Sequence, residues 1–216
     1  MIIDIEGTDG CGKKAQTDLL YNYLKDKGYN VIKISFPNYD SSSSALVKMF
    51  LGGEFGNKAD IIDSYQASAF YAVDRVATMS KIDVEDYDYV LFDRYVPSNM
   101  IHQSVRLKDL SEKDMFLGWV DDFEFNKMKL PRPNKIVFLD MPVEISLKLA
   151  NERKDLKNCQ RHDIFEEDKE HMFNAYENAK YVAKKFGWLS IDCSNGETIK
   201  TIDEIHQELL TKLHLK

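Results

Sequence analysis

The tightest constraint on this chain is the stretch Gly7-Thr8-Asp9-Gly10-Cys11-Gly12-Lys13-Lys14. The apolar run Ile2-Ile3-Asp4-Ile5-Glu6 leads into it, and Ala15-Gln16-Thr17-Asp18-Leu19-Leu20 follows at helical spacing. A strand that turns through glycines into a helix gathers backbone N–H groups at one point, and the helix dipole adds positive potential there. That is a P-loop, a cradle for phosphates, with Lys13 placed to reach the outer ones. The motif ordinarily closes in Ser or Thr, whose hydroxyl ligates Mg²⁺. Lys14 stands in that place.

The rest of the chain alternates short apolar runs with helical patterns. Gly28 stops the helix that begins at Lys14. Val31 to Phe36 reads as a strand that Pro37 ends. Asp40 to Ser44 caps a helix through Phe50, which Gly52-Gly53 breaks. Asp60 caps a long helix from Ile61 to about Lys81. Val90-Leu91-Phe92 is a third strand, ending in Asp93-Arg94-Tyr95, and residues 98–128 read as helical. Lys135 to Asp140 is a fourth strand, with Pro142 opening the next helix. A polar, basic stretch follows, then helical spacing from Ile164 to Phe186. Trp188 to Cys193 is a fifth strand, Asn195-Gly196 a turn, and Ile202 to Leu213 a closing helix. Strands that are apolar throughout and alternate with helices predict a five-stranded parallel sheet, an α/β fold covered by helices on both faces. Ligands of such sheets sit beyond the C-terminal ends of the strands. The P-loop, Phe36-Pro37 and Asp93-Arg94 all lie at such ends and are expected to converge.

Length and composition set limits. A chain of 216 residues with 44% hydrophobic content suits one domain over 1–216. Its net charge of −7 argues against an extended nucleic-acid or anionic-membrane surface. The three cysteines Cys11, Cys159 and Cys193 show no paired metal spacing and fit a reduced compartment. With no signal peptide before the first strand and no run long enough to span a bilayer, a soluble cytoplasmic protein is expected.

Several side chains suggest chemistry. A carboxylate among phosphates needs a cation between them, so Asp9 reads as a Mg²⁺ ligand, directly or through water. Its other reading is an Asx residue that stabilises the turn. Arg94 has the planar fork that suits phosphate oxygens. Tyr71 and Arg75 are four apart and share a helix face. They read either as a ring stacked on a base beside a guanidinium bonded to a base carbonyl, or as a core tyrosine with a surface arginine.

The motifs together resemble the thymidylate kinase (dTMP kinase) family over nearly the whole chain. The matching pieces are Glu-Gly-Thr-Asp-Gly-Cys-Gly-Lys at 6–13, Phe36-Pro37 and Phe70-Tyr71-Ala72-Val73-Asp74-Arg75. After these come Asp93-Arg94-Tyr95 through Ser98-Asn99, the basic stretch, Asp163 to Glu166, and Tyr176. The resemblance implies a P-loop kinase that moves the γ-phosphoryl of ATP to dTMP. It implies that Gly7, Thr8, Asp9, Gly10, Cys11, Gly12, Lys13, Lys14 and Ala15 hold ATP phosphates. It implies that Phe36, Pro37, Tyr39, Tyr71, Arg75, Arg94, Ser98, Asn99 and Gln103 hold dTMP. Segment 151–165 resembles the family's mobile lid. Some members carry an arginine where Gly10 stands, so the lid residues Arg153 and Arg161 are expected to act in catalysis with Asp9, Lys13 and Arg94. Asp9 and Glu166 are the expected Mg²⁺ ligands, Lys14 a second cation near the phosphates, and a homodimer the expected assembly. The chain departs from the family at Lys14, at Asn38-Tyr39, at Ile164, and at His102, where a tyrosine often helps exclude a ribose 2′-hydroxyl. Two rival readings accompany this one. The first is a deoxynucleoside kinase, which would use a carboxylate base close to Asp93, with Glu6 as the candidate. The second is a nucleotide-binding module that has lost catalysis.

Overall fold

A computed structural model describes residues 1–56, 62–149, 169–196 and 198–216. Strand β1 (Ile2–Glu6) is buried along its length and turns into α1 (Lys13–Asp26). Strand β2 (Val31–Ser35) ends at the cis-linked Phe36-Pro37. Ser41 caps a short 3₁₀ turn that leads into α2 (Ala45–Leu51). The long helix α3 spans Ser64–Met79. Its start differs from the sequence expectation, because Asp63 and Gln66 close a capping box that satisfies two backbone donors at once. Asp60 and Ile61 lie outside the described residues.

Strand β3 (Tyr89–Asp93) leads into α4 (Val96–His102). The helix expected across 98–128 is broken. A 3₁₀ turn at Ser104–Arg106 ends α4, Asp109 caps α5 (Leu110–Asp121), and a π-helical stretch, Asp122–Lys127, continues it. Strand β4 (Lys135–Asp140) precedes α6, described over 143–149. Pro142 sits just before that helix, its carbonyl accepting from the Ser146 N–H at 3.1 Å. Then come α7 (Lys169–Phe186), β5 (Leu189–Asp192), the small hairpin β6 (Ser194–Asn195) and β7 (Thr198–Ile199), and α8 (Ile202–Lys212). The expected lid, with Arg153, Arg161 and Glu166, lies outside the described residues. No helix among the described residues is long and apolar enough to cross a membrane.

The sheet order is β2-β3-β1-β4-β5, and every pairing is parallel. Ile3 and Ile5 pack with Leu20, Leu24 and Leu209 on the α1–α8 face. Ile2 packs on the other face with Phe92, Tyr95, Phe116 and Phe138. Alternation along β1 sends Asp4 and Glu6 to that second face. Glu6 finds partners there, accepting from the Tyr95 N–H at 2.8 Å and the Ser98 hydroxyl at 2.8 Å.

Asp4 is fully buried, and neither carboxyl oxygen has a hydrogen-bond partner among the described residues. Burial first, then the neighbouring Glu6, pushes its pKa well above the ordinary carboxylate range. Below about pH 4 the folded and unfolded chains both keep this carboxyl protonated. Above that, the unfolded chain releases a proton that the folded chain retains. Stability therefore falls with rising pH until the raised pKa is passed. Asp4→Val should stabilise the protein at pH 7 by about 1–3 kcal/mol. The gain should be smaller at pH 3.5, and urea melts at the two pH values measure the difference. A gain independent of pH would show that Asp4 is not held protonated.

Candidate active site

Strands β1 and β3 lie side by side, Ile5 opposite Asp93, so the turns that follow them face the same end of the sheet. The P-loop folds tightly there. A Cβ on Gly7 would lie 2.5 Å from Cys11 Sγ and 3.1 Å from the Leu139 carbonyl oxygen. Gly10, at φ +81°, would put a Cβ 3.0 Å from the Ser146 carbonyl oxygen in α6. The loop is therefore closed against β4 and α6, and a side chain at position 10 would crowd the Ser146 carbonyl. Gln16 makes the first backbone bond of α1, to the Gly12 carbonyl. The N–H groups of Lys13, Lys14 and Ala15 precede it and stand free of the helix ladder, and the first turn carries no acidic residue to compete for them.

Lys13 is 6% exposed, and its ammonium donates to the carbonyls of Gly7 at 2.9 Å and Thr8 at 2.7 Å. Lys14 behaves differently. Its ammonium pairs with Asp18 at 2.7 Å and its side chain is 78% exposed. In this structure Lys14 brings its backbone amide to the loop, while its charge lies along the helix surface.

Arg94 follows β3 in the left-handed region, at φ 66°. Only a few per cent of non-glycine residues adopt that backbone, and such residues cluster at functional sites. It turns the guanidinium toward the loop. Nη2 pairs with Asp9 Oδ1, and Nη1 lies 3.1 Å from His102 Nε2. Burial raises the Asp9 pKa, but Arg94, Lys13 and His102 outweigh it and hold the carboxyl well below the usual range. With 40% of its side chain still exposed, Asp9 is an ionised group open to a ligand.

A cavity of about 240 Å³ opens beside this pair. Its wall holds Phe36, Pro37, Tyr39, Tyr71, Arg75, Arg94, Ser98, Asn99 and Gln103, with Thr8 and Asp9 from the loop. The residues expected at an acceptor nucleotide, scattered over 36–103 in sequence, thus share one cavity. Asp74 fixes its rim, accepting from the Asn38 N–H at 2.7 Å and the Ser43 hydroxyl at 2.6 Å. Besides Arg94, three of the expected residues, Ser98, Arg75 and Asn99, bond to carboxylates of the protein itself. The Ser98 hydroxyl donates to Glu6, which is fully buried and so serves as a clamp on the turn after β3. Arg75 is neither a surface arginine nor wholly free. Its Nε and Nη2 donate to Glu124 at 2.6 and 2.8 Å, and Nη1 donates to the Tyr95 carbonyl at 3.1 Å. Asn99 Nδ2 also donates to Glu124, at 2.8 Å.

Sequence reasoning missed Glu124 and the wall residues Leu51, Arg106, Val143, Met172 and Ala175. The apolar ones carry no signal beyond ordinary helix-face spacing. Glu124 sits among five acids in 112–124, and nothing local separates a buried carboxylate from exposed ones. Among the described residues no group of three or more His, Cys, Asp or Glu could enclose a metal. Asp9 Oδ2 makes no hydrogen bond there, however, and one carboxylate oxygen beside nucleotide phosphates suits the way Mg²⁺ is commonly held. Asp9 therefore fits the ion as a partial ligand, while Glu166 lies outside the described residues.

Comparison with known proteins agrees with this geometry. The chain is 31% identical over 173 residues to the thymidylate kinase of Mycobacterium tuberculosis (strain CDC 1551 / Oshkosh), covering 79% of each chain. It is 28% identical to a probable thymidylate kinase of Methanococcus aeolicus, over 98% of this chain and 94% of that one. It is 26% identical to the thymidylate kinase of Fervidobacterium nodosum, over 97% and 96%. The thymidylate kinase family model matches residues 5–198, and the chain belongs to that family.

Proposed function

We propose that this protein transfers the γ-phosphoryl group of ATP to the 5′-phosphate of dTMP, giving dTDP and ADP. The observation that carries the reading is the shared cavity, with Arg94 and Asp9 where it meets the P-loop and Phe36, Tyr71, Arg75 and Asn99 along its wall. The donor phosphates lie on the amides of residues 13–15 with Lys13. The acceptor phosphate lies against Arg94, and the base lies between Phe36 and Tyr71.

A phosphomonoester has its second pKa near ~6, so the acceptor is already mostly dianionic at pH 7. No general base is needed. The protein's task is alignment and neutralisation of charge around a loose transition state. Lys13 and Arg94 supply fixed cations, and Arg94 is held from two sides by Asp9 and His102. Mg²⁺, when bound through Asp9 and the nucleotide phosphates, adds charge neutralisation between the two substrates. The reading as a deoxynucleoside kinase requires an accessible carboxylate base. Glu6 is fully buried and already accepts bonds from Tyr95 and Ser98.

Coupled ADP release decides the matter. With ATP and Mg²⁺, dTMP should support turnover and thymidine should not. Turnover with thymidine instead of dTMP would favour the nucleoside kinase, and binding of ATP with no ADP release from any deoxynucleoside monophosphate would favour the inactive module. A homodimer is also proposed; the exposed Val73 on α3 and Leu110 and Met115 on α5 support it as apolar surface available to a second copy.

A further inference from the structure

Glu124 does not line the cavity, yet it holds two residues that do. It is fully buried and comes from the π-helical stretch Asp122–Lys127, a rare geometry found disproportionately at functional sites. Arg75 Nη2 and Asn99 Nδ2 both donate to the same oxygen, Oε1, each at 2.8 Å, so the two side chains are neighbours. The Asn99 nitrogen also donates to the Ser68 carbonyl, at 3.1 Å.

The consequence follows from the donor inventory. Both acceptors around Asn99 demand its NH₂ group, which settles which way the amide faces. The carbonyl oxygen is then the polar group Asn99 has left, in a side chain on the cavity wall. Arg75 can only donate, and the bonds to Glu124 and Tyr95 use three of its five N–H groups. The wall therefore offers a donor next to an acceptor. A pyrimidine with a 4-oxo group and an N3–H presents the complementary acceptor and donor. A 4-aminopyrimidine presents the reverse at both positions.

We infer that Glu124 is a specificity-determining positioning residue, which selects 4-oxo over 4-amino pyrimidine nucleotides by fixing Arg75 and the Asn99 amide. The inference rests on the dTMP reading. Glu124→Gln replaces one acceptor oxygen with an NH₂ that only donates. The one oxygen that remains cannot serve all three donors that Arg75 and Asn99 direct at the carboxylate, so the fixed orientation of the pair is loosened.

The test compares dTMP with dCMP as acceptors. In Glu124→Gln the ratio of kcat/KM for dTMP over dCMP should fall about 10–100-fold, mainly through KM. Glu124→Asp, which keeps the carboxylate, should hold a ratio closer to that of the unsubstituted protein. If Glu124→Gln instead slows both acceptors by the same factor, Glu124 is merely structural and the inference is overturned. Should that variant fail to fold, the unsubstituted protein with ¹⁵N-labelled side-chain amides answers alone. The Asn99 NH₂ hydrogens should exchange slowly both before and after dTMP is added. Rapid exchange in either state would overturn the inference. An unsubstituted protein that turned over neither acceptor would sink the substrate reading, whereas slow exchange at Asn99 would still support the hold by Glu124.

Discussion

Lys13→Ala should reduce turnover with ATP and dTMP by about 10²–10³, the usual cost of one electrostatic contact to a transferring group. The fold should survive. Lys13 is nearly buried, but its partners are the two loop carbonyls of Gly7 and Thr8, and no carboxylate depends on it as sole counterion. Helix α1 is anchored elsewhere, by Leu20 and Leu24 in the sheet's core. Loss of two hydrogen bonds from one donor amounts to about 1–3 kcal/mol. Steady-state kinetics together with a thermal melt separate the two effects. A variant with most of its turnover intact would show that the loop lysine is not the phosphate cation and would end the kinase assignment.

Arg94→Ala should cost at least as much turnover, about 10²–10³ again, by a different route. It removes the cation proposed to hold the acceptor phosphate and, with it, the side chain that pairs with the Asp9 carboxylate. Lysine should not rescue it. One ammonium cannot reach Asp9 with one nitrogen and His102 with another, as the guanidinium does. Arg94→Gly sharpens the test, because glycine accepts φ 66° without the cost an L side chain bears there, roughly 1–2 kcal/mol. That variant should melt no lower than Arg94→Ala and be equally inactive, since the backbone strain serves to aim the guanidinium. A glycine variant that kept its turnover would refute the role given to Arg94.

How far the sequence could be read varied with the range of the interactions. The glycine turn between an apolar strand and a helix is a local pattern, and so are the apolar runs that became the sheet. Element ends were less legible. Asp60 and Asp63 both stand before the long helix, and Gln66 in reciprocal contact with Asp63 decides between them. The stretch 98–128 lacks a proline or glycine at its breaks, and its division follows from packing against α7 and from the Asp109 cap. In the site, residue types at fixed spacing gave Asp9, Lys13, Arg75 and Arg94. Their pairing did not follow from type. Lys14 on Asp18 and Arg75 on Glu124 depend on which side chain lies nearest in space, and the second pair spans 49 positions of chain.

The central place of β1 in the sheet also constrains how the protein comes into being. Its two neighbours are β3 and β4, so Ile3 to Glu6 finds its last pairing partner only at Lys135 to Phe138. At ~5–20 residues per second on the ribosome, the interval between the two strands is on the order of 10 s. During that time the glycine turn has one wall missing, because Leu139 and Ser146, against which Gly7 and Gly10 close, have yet to emerge. A nascent chain halted before β4 should therefore lack the nucleotide pocket, however complete its motif.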